Sequence, residues 1–62
     1  MIQKHIIKNG KDYFLVKNEN RAGAIHYINW VQNKLNRFTN ISIVPYNGKK
    51  YNKDLFCWIV VE

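Results

Sequence analysis

Trp30 has the neighbours that could do the most chemistry. His26 stands four residues before it, Lys34 four after and Arg37 seven after. On a helix, that spacing projects all of them to one side. Asn33 falls among them and Tyr27 lies on the flank. An aromatic ring among cations can stack on a nucleobase while the cations hold phosphates. The same residue types, Trp, Tyr and Arg, also dominate the hot spots of protein interfaces. A third reading packs Trp30 beneath a long loop over residues 47–53 and makes it part of the core. Lys49, Lys50 and Lys53 in that loop supply a second cationic contact.

Other chemistries find less support. His5, His26 and Cys57, with Asp12, Glu19 and Asp54 behind them, are the available metal-ligand types. None has ligand spacing such as Cys-x-x-Cys or His-x-x-x-His, so no metal site is expected. Cys57 with a histidine is the only conceivable nucleophile pair. It lies in the most apolar segment, where a cysteine is usually a small buried hydrophobe, and Phe56 and Trp58 offer nothing to lower its pKa. The acids are dispersed, and each glycine stands alone rather than in a phosphate-cradling loop. Neither catalysis nor a cofactor is expected.

Charge adds a partner class. Ten Lys and Arg against four Asp and Glu give +6. No acid occurs between residues 20 and 53, while Arg21, Lys34, Arg37, Lys49, Lys50 and Lys53 all fall there. The helix and the second loop are therefore purely cationic. Such a surface attracts nucleic-acid phosphate or an acidic protein patch. The plainer alternative is a solvated face that keeps the protein soluble.

These side chains need elements to position them. A helix is predicted over 20–38, with Ala24, Ile25, Ile28, Val31 and Leu35 on one buried arc and Trp30 roughly opposite. Asn20 is the expected N-cap, with Asn18 as the alternative, and Asn40 the expected left-handed residue beyond the C-terminus. Residues 2–8 and 11–17 form a hairpin, because Asn9-Gly10 suits a type I′ turn. That pairing sets His5 opposite Phe14, Ile6 opposite Tyr13 and Gln3 opposite Val16. Strands are expected over 41–46, where Pro45 indicates that the strand frays or lies at an edge, and over 55–61. A wide 47–53 loop sets Ile43 opposite Phe56 and Ile41 opposite Trp58. Ile41, Ile43, Phe56, Trp58 and Val60 then face the helix. Val44, Leu55, Cys57, Ile59 and Val61 line a second face that one helix leaves open. Such a patch suits a homodimer or partner contact; the plainer alternative is that long side chains such as Lys4, Lys8 and Lys17 lie over it.

The expected fold is α+β: β-β-α-β-β, an antiparallel-rich four-stranded sheet with one helix on one face, in a single domain of 62 residues. Strand order is not determined at this level. A chain this short buries only about 60% of its unfolded surface. Its 47% apolar content still supplies a core. One cysteine excludes an intramolecular disulfide. No signal peptide is read in the first ten residues, whose apolar run contains charges. With no run of about 18 apolar residues, no membrane span is expected. A cytoplasmic location follows as the expectation. Enrichment in Asn, Lys and Ile, which have A/T-rich codons, points to an AT-rich genome, such as that of a low-GC bacterium or its phage. With the small size, a phage or mobile-element product is the expectation. The function expected is a small non-enzymatic binding protein. It acts on nucleic acid, or on the machinery that processes it, through Trp30, Lys34 and Arg37. The alternative is an inhibitor of a host complex, of anti-CRISPR or polymerase-inhibitor type, working by protein contact alone.

Overall fold

A computed structural model describes residues 2–37 and 40–62. The chain runs β1 (Ile2–Lys8), β2 (Lys11–Lys17), α1 (Arg21–Lys34), β3 (Ile41–Pro45) and β4 (Phe56–Val61). The four strands form one antiparallel sheet in the order β1-β2-β4-β3. The helix packs on one side of it. This is the α+β, β-β-α-β-β arrangement that the sequence predicts.

The first hairpin forms for a local reason. Asn9 and Gly10 both take positive φ, 53° and 75°, as a type I′ turn requires. His5 is opposite Phe14 and Ile6 opposite Tyr13, as expected. The register slips between Ile2 and Lys4, so Ile2 rather than Gln3 meets Val16. A bulge there bends the outer strand without disturbing the turn.

The helix is shorter than its apolar pattern suggests. It starts after a 3-10 turn, Asn18–Asn20. Asn20 holds the N-cap position without a side-chain cap bond. Asn18 instead joins the helix entry to the second loop. Its backbone N–H donates to the Leu55 carbonyl at 2.8 Å and its side-chain amide to the Asp54 carbonyl at 3.0 Å. At the other end Asn36 is left-handed, with φ 55°, four residues before the expected Asn40. The Arg37 N–H reaches the Gln32 carbonyl at 2.9 Å and the Asn36 N–H the Asn33 carbonyl at 3.1 Å. This pair of bonds is a Schellman motif, which satisfies the orphan carbonyls and stops the helix. Leu35 therefore leaves the predicted core arc and is 56% exposed. Phe38, the expected last helical residue, lies outside the described residues.

The faces of β4 are the opposite of the sequence reading, whereas Ile41 and Ile43 of β3 keep the helix side expected of them. Ile43 is opposite Ile59 and Ile41 opposite Val61. That is three residues from the expected pairing of Ile43 with Phe56. An odd shift relative to β3 sends every β4 side chain to the other face. Cys57, Ile59 and Val61 consequently lie under the helix with Val16, Ala24 and Ile28. Phe56 and Trp58 face away from it. The far face is not open either. The segment between β3 and β4 folds back over it, packing Tyr46 and Tyr51 on Leu15, Phe56 and Trp58. Gly48 permits this, because a Cβ there would overlap the Tyr46 phenol. The surface proposed from Val44, Leu55 and Ile59 therefore does not exist as one patch, since Ile59 is wholly buried on the helix side.

Candidate functional site

Trp30 is on the helix's outer side and 52% exposed, as its angular distance from Ile28 requires. It is not beneath the second loop. The Lys34 ammonium sits 4.7 Å from the indole centroid. The Tyr27 ring lies 6.3 Å away at an interplanar angle of 29°. Tyr27 is one turn before Trp30 and Lys34 one turn after, so the indole is flanked along the helix by its own neighbours. The cation–π contact and the ring pair hold it in place. A base that stacks there must displace one of them. His26 and Asn33 are exposed on the same helix, and Arg37 is exposed just past its end.

The loop side of the sheet carries the other cations. Leu15 packs against Tyr46 and Phe56, which identifies its face as the loop face. Alternation along β2 places Lys11, Tyr13 and Lys17 on that face with it. The β1 pairings place Lys4 opposite Leu15, Ile6 opposite Tyr13 and Lys8 opposite Lys11, so Lys4 and Lys8 share it. Lys49, Lys50 and Lys53 belong to the loop lying over it, all exposed. Seven of the chain's ten cations therefore lie on this side. Aromatic rings run between them: Tyr13 meets Trp58 edge-on at 5.9 Å, and Lys50 stands 5.8 Å from the Tyr51 centroid. Of the acids here, Glu62 is taken by Lys11 at 3.1 Å. That contact raises the Lys11 pKa through its hydrogen bond and its charge.

The sequence-predicted site thus divides. Tyr27, Trp30 and Lys34 come together on the helix, with His26, Asn33 and Arg37 around them. Lys49, Lys50 and Lys53 stand across the sheet from them and do not extend that surface. Lys4, Lys8, Lys11 and Lys17 are the cations that sequence reasoning left out of the binding set, although it allowed Lys4, Lys8 and Lys17 to lie over the sheet face away from the helix. A usable signal existed: all four occupy alternate-face positions of a hairpin whose register the Asn9-Gly10 turn dictates.

His5 and Cys57, the other candidate reactive groups, sit in structural surroundings. His5 Nε2 lies 2.9 Å from an Asp12 carboxylate oxygen, and its ring stacks on Phe14 at 4.5 Å. Cys57 is a free, buried thiol. Burial raises its pKa, partly offset by the charge of Arg21. Among the described residues no group of three or more His, Cys, Asp or Glu could hold a metal ion. Between α1 and the β1–β2 hairpin lies a cavity of about 150 Å³, lined by Ile2, Phe14, Ile28 and Gln32. That is well below the ~300 Å³ at which small-molecule sites begin. Among the described residues no helix is long and apolar enough to cross a membrane. No family model, no curated protein and no solved structure matches the chain.

Proposed function

We propose that this protein binds nucleic acid, without catalysing a reaction, by laying phosphates along the lysine-rich loop face of its sheet. The observation that carries this is the segregation of seven of ten cations to that side. Lysines act as flexible point charges and suit a backbone better than a base edge. Binding is therefore expected to depend weakly on sequence and strongly on salt. Neutralising about five phosphates gives a slope near −4 to −5 in log affinity against log salt for a duplex. Tyr13 and Tyr51, both half-buried, stand at the level of the lysines and offer ring surface to an unpaired base.

A second reading, contact with a host protein as in an inhibitor, is favoured by one observation. Trp30 is exposed yet flanked by Tyr27 and Lys34. A ring held this way is preorganised for insertion into a protein pocket, not for free stacking.

Two paired substitutions separate the readings at equal net charge. Lys4→Gln with Lys8→Gln removes two cations from the loop face. Lys34→Gln with Arg37→Gln removes two from the helix side. Anisotropy titrations of random-sequence single-stranded and duplex DNA are read at several salt concentrations, beside a melting curve for each variant. The first pair should weaken binding about tenfold and flatten the salt slope by about 2. The second should change it much less. Equal loss from both pairs, or no DNA binding by the parent protein, overturns the proposal. Loss confined to the second pair moves the nucleic-acid contact to the helix.

A further inference from the structure

The two edges of the sheet differ. β1, at one edge, carries a bulge between Ile2 and Lys4 and two outer lysines, Lys4 and Lys8. Both features discourage edge pairing. β3, at the other edge, has neither. Its sequence, Ile-Ser-Ile-Val-Pro, is uncharged and regularly paired on its inner side. Four of its five residues are exposed, with Ile43 at 46% and Val44 at 39%.

The hydrogen-bond parity of β3 is fixed by its first neighbour. The Glu62 N–H donates to the Asn40 carbonyl at 3.0 Å. Residue 40 therefore turns its backbone groups toward β4. In an antiparallel pair such positions alternate. Ser42 and Val44 also turn inward, while Ile41, Ile43 and Pro45 turn outward. Pro45 presents only a carbonyl there, so its missing N–H costs no bond to β4. Among the described residues nothing pairs with this edge, which offers the N–H groups of Ile41 and Ile43 and the carbonyls of all three.

We propose that a second copy of this chain pairs with β3, antiparallel about a two-fold axis at Ile43. In that register the two Ile43 residues exchange N–H···O bonds. Each Ile41 N–H meets the Pro45 carbonyl of the other copy. Every outward donor is used, and the missing proline N–H falls at the ends. The edge thus pairs with itself without leaving an outward donor unused, and a second copy is the partner present wherever the chain is. Across the junction Ile43 meets Ile43 on the helix side, and Val44 meets Ser42 on the loop side. Such an axis stands perpendicular to the sheet. It makes one eight-stranded sheet with both helices on one side and both lysine faces on the other. The inference rests on the edge geometry and stands without the nucleic-acid reading.

Each copy carries +6, but no charge lies in β3, so salt should screen the general repulsion and favour pairing. DNA binding has the opposite salt dependence, so failure of one proposal is distinguishable from failure of the other. Sedimentation equilibrium of the whole chain over a range of concentrations, at low and high salt, should show the mass doubling, more readily at high salt. Ile43→Lys, which sets two charges together on the axis, should remain monomeric. Ile7→Lys, on the exposed opposite edge, should still dimerise. In the parent protein the Ile41 and Ile43 amides should become protected from hydrogen exchange as concentration rises. A monomer at every concentration and salt, unchanged exchange at Ile41 and Ile43, or an Ile43→Lys variant that dimerises like the parent overturns the inference. The exchange measurement uses the parent chain, so it decides the matter even if a variant fails to fold.

Discussion

Leu15 and Val16 are neighbours in β2, point to opposite faces of the sheet, and are both fully buried. Adjacent strand residues can share that state only if each face has its own cover. The helix covers Val16, and the Tyr46–Tyr51 aromatic layer covers Leu15. The loop is therefore half of the core rather than a connection between strands.

Truncation on either side should then be costly. Leu15→Ala is expected to destabilise by about 2–5 kcal/mol, and Val16→Ala by up to about 3 kcal/mol. Against a total of about 5 kcal/mol for so small a domain, the first removes from under half to nearly all of the stability, and at the upper end about half of the chain is unfolded at room temperature. Urea denaturation measures both. A mild Leu15→Ala effect beside a severe Val16→Ala effect would show that the loop layer contributes little.

Gly48 and Gly10 test two backbone requirements. Gly48→Ala would press a methyl into the Tyr46 phenol, and overpacking of this kind costs about 1–3 kcal/mol. The Tyr46 ring is held by Tyr51 and Trp58 at 6.0 Å each, so it has little room to withdraw. Gly10→Ala meets open space but must take φ 75°. The expected loss there is about 1 kcal/mol or more. The two losses should have different signatures. Near-ultraviolet circular dichroism from the tyrosines should change with Gly48→Ala and not with Gly10→Ala.

Cys57 gives the chain an alkaline limit. Burial raises its thiol pKa in the folded state, whereas an unfolded thiol ionises at about 8.5. Below that pH both states hold the proton and the group adds no slope. Above it the unfolded chain releases its proton first, so stability falls as pH rises toward the folded-state value. Urea midpoints for the parent and for Cys57→Ala across mildly alkaline pH provide the check. The parent should lose stability over that range and the variant should lose less. The same thiol should react with a disulfide reagent only as fast as the protein opens.

Trp30 and Trp58 should behave as different residues. Trp30→Ala is expected to leave the folding free energy within about 0.5 kcal/mol, since its contacts are to Tyr27 and Lys34 on the surface. Trp58→Ala should cost about 3 kcal/mol, because it opens the aromatic layer. In a Trp58→Phe background the remaining fluorescence should be readily quenched by acrylamide. Protection from quenching would mean that Trp30 is covered.

Local physics alone determined the parts of this protein that could be read from sequence. Asn9-Gly10 imposes a tight turn, and the turn dictates most of the hairpin register. The helical period places Ile28 inward, and Trp30 must then face out, since both angles belong to one helix. The edge position of β3 was legible in Pro45. The helix end was locally encoded too, but Asn36 and Asn40 are equally good left-handed residues, and composition does not rank them.

Tertiary structure decided which face of the sheet is which. Phe56, Cys57, Trp58, Ile59, Val60 and Val61 are apolar without a break, so alternation cannot say which of them meet the helix. The choice came from pairing β4 with β2 as well as β3, and from a loop whose tyrosines could cover the side the helix leaves. The cationic surfaces followed from that choice. Lysines far apart in the chain converge only when β1, β2 and the second loop share a face. Long-range register supplies that relation, and no local window of sequence contains it.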